Sequence, residues 1–169
     1  MTIQIEKTTS SRLVTLDFSA IEFGNVFSDH IFRREWKGGA WQDSRIVPHQ
    51  SIAVSPAALG LHYGQVVFEG LKAYRGTHDN VIRLFRPDRN AKRLQESCER
   101  LCIPTVTTDD FLGAVGALAS LEQDWVPPSR LQTLYLRPIL FGSEGHLSVT
   151  PAQTYEFFIL AAPVSEYFD

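Results

Sequence analysis

The spacing of apolar and polar residues changes rhythm several times along the chain, and each change marks an element. Alternation predicts a strand over 25–36, a turn at Lys37-Gly38-Gly39 and a returning strand over 41–47 that Pro48 ends. A short β-prone stretch follows at 51–55 and stops at Pro56. From 59 to 70 the pattern shifts. Leu61, Val66, Val67 and Leu71 interleave with glycine and polar residues, which reads as a short buried helix closed by Gly70 at its C′ position. Segments 71–75 and 81–86 then form a hairpin about Gly76-Thr77-His78-Asp79-Asn80, residues that tolerate turn geometry.

Helical spacing takes over at Pro87, which suits a first turn because its missing N–H would have no partner there anyway. This helix runs to about Leu101, with Leu94, Cys98 and Leu101 as its apolar stripe. A second helix is capped by Thr108 and carries Asp109 and Asp110 at the positive end of its dipole. Phe111, Leu112, Val115, Leu118 and Ala119 repeat along it at helical spacing, and Pro127-Pro128 stop it. Two strands close the pattern, at 131–141 and 155–163. The latter, Y-E-F-F-I-L-A-A, is apolar on both faces and is expected in the middle of the sheet. Hairpins, a helix pair and two further strands give an α+β fold, a mostly antiparallel sheet with helices on one side. Strict β–α alternation is absent, which argues against a dinucleotide-binding unit. Residues 1–22 read as a lead-in, frayed to about Asp17, and 23–169 as the folded domain.

Composition changes this picture little. The chain has 169 residues, 44% hydrophobic and 21% charged, enough for one domain with its own core. A net charge of −3 supplies no global positive field for nucleic acid or an anionic membrane. No apolar run approaches the ~20 residues of a membrane span, and the polar start lacks the apolar stretch of a signal peptide. Cys98 and Cys102 stand four apart in one predicted helix, poor disulfide geometry, and no further ligand makes them a metal site. They read as small helix residues in a reducing cytosol.

Several residues offer chemistry. On the strand T-L-Y-L-R-P, Thr133, Tyr135 and Arg137 share one face, so a Tyr–Arg pair facing a cleft could take a carboxylate. A wet sheet face with Arg137 paired to a surface acid fits the same spacing. Arg86, Arg89, Arg93 and Arg100 line one helix face, either as a solvated stripe or with one of them on a phosphate. Glu69 is either a general acid, if burial raises its pKa, or a helix-end residue. His30, His49, His62, His78 and His146 show no ligand spacing and read as packed or surface residues. None of this names a reaction.

The segments F-G-N-V-F-S-D-H (23–30), L-H-Y-G-Q-V-V-F-E-G-L-K-A-Y-R-G (61–76) and I-R-L-F-R-P-D-R-N-A-K-R-L (82–94) resemble the branched-chain amino-acid aminotransferases of fold-type IV. So do D-W-V-P (124–127), L-Y-L-R-P (134–138) and P-V-S-E-Y-F (163–168), in order, over nearly everything from 23 to 168. D-amino-acid aminotransferases and aminodeoxychorismate lyases, relatives of the same fold, look less similar in the second and fifth segments. The resemblance implies exchange of an amino group between L-Leu, L-Ile or L-Val and 2-oxoglutarate through pyridoxal 5'-phosphate. It implies that Arg93 grips the cofactor phosphate, leaving Arg86, Arg89 and Arg100 as surface charges. Phe23, Phe68, Tyr135 and Tyr167 are implied as walls of the apolar substrate pocket, and Arg137 as a group near the co-substrate carboxylate. Tyr63 and the loop carrying Val149 are implied to reach the partner's site in a homodimer of the cytoplasm.

The family's Schiff-base lysine lies in a second domain, beyond Asp169, so no catalytic residue is expected among these positions. Lys7, Lys37, Lys72 and Lys92 match none of the family's catalytic position. The chain alone is therefore expected not to transaminate. A non-enzymatic dimerisation or ligand-binding module derived from the same fold is the competing expectation.

Overall fold

The computed structural model describes residues 1–165. Strands β1 (Ile3–Ile5), β2 (His30–Lys37), β3 (Ala40–Trp41), β4 (Ser44–Pro48), β5 (Val66–Phe68), β6 (Leu71–Arg75), β7 (Ile82–Leu84), β8 (Thr133–Gly142) and β9 (Tyr155–Val164) form one sheet. The main path runs β1-β4-β2-β9-β8-β6-β7, with β3 on β2 and β5 on β8. Every pairing is antiparallel except β1 with β4. Helices α1 (Leu59–His62), α2 (Pro87–Arg100) and α3 (Thr108–Leu121) complete the fold. No helix among the described residues is long and apolar enough to cross a membrane.

The long strands β8 and β9 are the spine, and their alternation sorts the sheet into two faces. Leu134, Leu136 and Leu140 of β8 and Tyr155, Phe157, Ile159 and Ala161 of β9 are buried in one core. Leu94 and Cys98 of α2 and Phe111, Val115 and Leu118 of α3 belong to the same core. Adjacent residues face the other way. Tyr135 and Arg137 of β8 and Leu160, Ala162 and Val164 of β9 therefore open on the helix-free side, where they line a cavity. As expected from its two-faced apolar pattern, β9 is central, between β2 and β8.

Several expectations are corrected. The start of the chain is not frayed throughout: Ile3, Gln4 and Ile5 pair in parallel with Ser44, Arg45 and Ile46. The first long strand begins at His30, because the chain through Gly24, in a left-handed conformation at φ +78°, curves as a loop before it. Its return splits into β3 and β4, and the Gln42 side-chain amide donates to the Lys37 and Ala40 carbonyls (2.9 Å each) across the turn. Segment 51–55 has no regular structure. The helix expected over 59–70 is a single turn, α1, followed by Gly64 at φ +65°. Val66, Val67 and Phe68 then extend as β5 against Phe141, Leu140 and Ile139. Thr107, not Thr108, caps α3, its side chain accepting from the Asp110 N–H. Cys102 lies past the end of α2, at φ +54°.

Candidate active site

The short strand β5 hands the chain to Glu69 and Gly70, and these two residues organise one side of the site. Gly70 is not a helix terminator. A Cβ there would overlap the Tyr135 hydroxyl, so the missing side chain is what lets the tyrosine lie across the β5–β6 junction. Tyr135 in turn accepts two hydrogen bonds through its Oη, from Arg137 Nε (3.0 Å) and Nη2 (2.8 Å). The same guanidinium stacks 4.5 Å above the Phe68 ring, a cation–π contact that fixes its plane. Phe23 meets Tyr135 edge-on, with ring centroids 5.7 Å apart.

Phe23, Tyr135 and Arg137 stand at a cavity of about 200 Å³ whose other lining residues are Gly24, Phe27, Leu160, Ala162 and Val164. Its wall is apolar apart from the phenol and the guanidinium at its rim. Of the residues that the resemblance implies for the substrate pocket, Phe23, Tyr135 and Arg137 line this cavity and Phe68 does not, while Gly24, Phe27, Leu160, Ala162 and Val164 carry no signal in the sequence that singles them out. Alternation along β9 puts the last three on one face, but a strand apolar on both faces conceals which one is open.

Beside this cavity, Glu69 is buried (4% exposed) and holds Arg93 in a two-point ion pair, Nε to Oε1 at 2.5 Å and Nη2 to Oε2 at 2.6 Å. The Asn90 side-chain amide donates to Glu69 Oε2 (2.8 Å) and to the Gly70 carbonyl (3.2 Å). Burial works to raise the Glu69 pKa, but the bonds from Arg93, Asn90 and the Gly70 N–H outweigh it and hold the carboxyl below its usual value. The general-acid reading of Glu69 is thereby corrected: at neutral pH it is a carboxylate committed to Arg93. The neighbouring arginines differ. Arg86 and Arg89 pair with Asp88 on the surface, and Arg100 is exposed at the end of α2.

Tyr63 stands apart from the cavity, exposed, its hydroxyl donating to the Leu147 carbonyl (2.6 Å). Val149 is more exposed still, on the 143–154 connection. Tyr167 lies outside the described residues. No group of three or more potential metal ligands occurs among the described residues.

No family model matches the chain. Individual relatives do. It is 40% identical over 168 residues to branched-chain-amino-acid aminotransferase 2 of Bacillus subtilis, covering 99% of this chain and 46% of that protein. The chain belongs to the branched-chain aminotransferase family. Branched-chain-amino-acid aminotransferase 6 of Arabidopsis thaliana is 47% identical over 131 residues, 78% of this chain and 36% of that one. The solved structure of the branched-chain aminotransferase of Thermoproteus uzoniensis superimposes with a TM-score of 0.61 at 23% identity, over 82% of this chain and 43% of that one, which shows the shared fold. The chain thus spans less than half the length of these relatives. Its antiparallel sheet with helices on one side is the architecture of the amino-terminal domain of fold-type IV enzymes. Within this aminotransferase family the arrangement of an apolar cavity, an arginine at its rim and a second arginine beside it acquires a reading.

Proposed function

We propose that these residues form the substrate-side part of an enzyme that moves an amino group between a branched-chain L-amino acid and 2-oxoglutarate, with pyridoxal 5'-phosphate as cofactor. The observation that carries the proposal is the apolar cavity bounded by Arg137 and Tyr135. Burying a Leu, Ile or Val side chain in such a cavity is favourable by roughly 1.5 to 3 kcal/mol. The acidic co-substrate brings a carboxylate to the same place, which needs a partner once desolvated. Arg137 rests on a phenol rather than on an acid through Nε and Nη2, which leaves the Nη1 side of its guanidinium for that carboxylate.

Arg93 fits the cofactor's phosphate by its donor set. Glu69 engages Nε and Nη2 of the guanidinium, the side chain is 64% exposed, and the other N–H groups point away from the pair. When bound, the cofactor supplies the electron sink that weakens the bonds at the substrate's α-carbon. This chain's residues bind and orient around it. Lys7, Lys37, Lys72 and Lys92 are all exposed, and none lines the cavity. Lys72 is in register with Tyr135, yet its side chain stays outside the pocket. The resemblance alone assigns the lysine that shuttles the proton to a second domain. Tyr63 and the Val149 loop are assigned to a second subunit's site, in a homodimer of the cytoplasm.

Two assays test this. The 169-residue chain, incubated with pyridoxal 5'-phosphate and borohydride, is expected to give no specific lysine adduct, and the longer protein carrying these residues to turn over L-leucine with 2-oxoglutarate. A single labelled lysine with L-leucine activity in this chain would overturn the assignment of the lysine. Turnover of D-alanine but not L-leucine by the longer protein would overturn the substrate.

A further inference from the structure

The chain leaves and returns to one point on either side of residues 13–27. Ser11 Oγ donates to Asp29 Oδ2 (2.5 Å) and the Arg12 N–H to Asp29 Oδ1 (2.8 Å). The Arg12 guanidinium also reaches the Ser28 carbonyl. Residues 11–12 are thus fastened to 28–29, and the segment between them is a loop closed at its base, of about the length of an Ω-loop.

Asp29 is itself immobilised. Its N–H donates to Glu122 Oε2 (3.0 Å), its carbonyl accepts from the His49 N–H (2.8 Å), and the Trp125 indole donates to Oδ2 (3.2 Å). Next to it, His30 Nδ1 meets Glu122 Oε1 (2.5 Å) while Nε2 accepts from the Thr8 N–H (2.8 Å). All three acidic or imidazole groups are buried.

The loop has little core of its own to hold it. Neither of its 3₁₀ turns, Arg12–Thr15 and Phe18–Ala20, contains a buried residue, and Val14 is 86% exposed. Ile21 is its one buried apolar residue. Leu13, Leu16 and Val26 are only partly buried against the core, Phe27 stacks on His49 (ring centroids 5.1 Å apart), and polar ties run from Gln132 Nε2 to the Phe18 carbonyl (2.5 Å) and from Ser165 Oγ to the Ile21 carbonyl (3.2 Å). Yet the loop carries three of the cavity's lining residues, Phe23, Gly24 and Phe27. A partly buried loop that supplies a wall is held most firmly at its closed base, where its charge-assisted bonds lie.

We propose that Asp29 is a positioning residue for the substrate pocket, clamping the base of loop 13–27 so that Phe23 and Phe27 stand as fixed walls over β8 and β9. The inference rests on reading that cavity as the site for branched aliphatic side chains. Without the clamp the walls are sampled rather than held, so substrate binding is weakened while groups that act on the reacting atoms stay in place.

Hydrogen exchange read by mass spectrometry on the 169-residue chain tests the clamp directly. In Asp29→Asn, amides of residues 12–27 are expected to exchange about tenfold faster, with β8 and β9 unchanged, the effect of losing charge-assisted bonds at a local opening. Should Asp29→Asn unfold, the double variant Ser11→Ala with Arg12→Ala weakens the clamp from its exposed side, removing the Ser11 hydroxyl bond and the Arg12 side-chain contacts and leaving only the backbone N–H of residue 12 on Asp29. Unchanged exchange over 12–27 in these variants overturns the proposal. In the longer protein, KM for L-leucine is expected to rise about tenfold with kcat little changed. Faster exchange with an unchanged KM would mean that Asp29 only stabilises the loop, and the positioning role falls. If the wild-type longer protein fails to transaminate L-leucine, the functional reading fails, and the exchange result still decides the clamp.

Discussion

Glu69 and Arg93 face each other as a buried carboxylate and a largely exposed guanidinium, joined at two points. The pair spans the boundary between core and solvent. Removing the cation leaves an acid with its charge inside the protein, whereas removing the acid frees an arginine that water can serve. Arg93→Ala is expected to lower unfolding stability by about 1 to 2 kcal/mol, the remaining bonds from Asn90 limiting the loss. Urea titration of the isolated chain measures it. In the longer protein the same substitution should speed loss of pyridoxal 5'-phosphate on dialysis, and unchanged retention would count against Arg93 as the phosphate contact.

Acid should destabilise the fold through two carboxylates. Glu69 and Asp29 are each pushed up by burial but held below their usual values, Glu69 chiefly by Arg93 and Asn90, and Asp29 by Ser11, Arg12 and Trp125. In both cases the folded chain binds its proton less readily than the unfolded chain. Their stabilisation is complete above the unfolded pKa of about 4 and is lost as pH falls through the lowered folded values. The melting temperature should therefore fall steeply in acid below about pH 4. Glu69→Gln should flatten that slope while lowering the plateau at neutral pH; an unaltered slope would place the acid sensitivity elsewhere.

Gly70→Ala should displace Tyr135. The added methyl meets a hydroxyl that Arg137 holds from two nitrogens, so the ring cannot rotate away without breaking those bonds. Overpacking of this kind costs about 1 to 3 kcal/mol. The double variant Gly70→Ala with Tyr135→Phe should recover part of that loss in a thermal melt, because the clashing atom is gone. No recovery would move the strain from the hydroxyl to the backbone.

The two cysteines should separate cleanly in a thiol assay. Cys98 is fully buried on α2 and its thiol is pushed up to about 12, first by burial and then by the nearby Glu99. Cys102 is exposed beyond the helix end. Native protein should react with a water-soluble thiol reagent at one site, and at two only after denaturation. Two fast sites in native protein would contradict the packing of α2 on the core.

What the sequence made legible was whatever has a period or a familiar neighbour. The two long helices and β8 and β9 follow their apolar spacing closely, and Tyr135 with Arg137 share a face by alternation alone. Val66–Phe68 was misread as helix because three apolar residues beside a one-turn helix carry no period, and only pairing with β8 makes them a strand. Glu69 stays open in the sequence between a general acid and a helix-end residue because its partner, Arg93, stands on another element, α2. The buried contact of His30 with Glu122 joins a strand to a helix end and leaves no local trace in either segment.

The parallel pairing of Ile3–Ile5 with β4 has a practical consequence. These three residues cover the outer rim of Ser44–Pro48, whose other rim is taken by β2. A shortened version starting after Glu6 would bare that rim as a template for intermolecular strand addition, turning a tolerant-looking terminus into a source of insoluble protein. Purification handles belong ahead of Met1 on a flexible spacer, with the first six residues left intact.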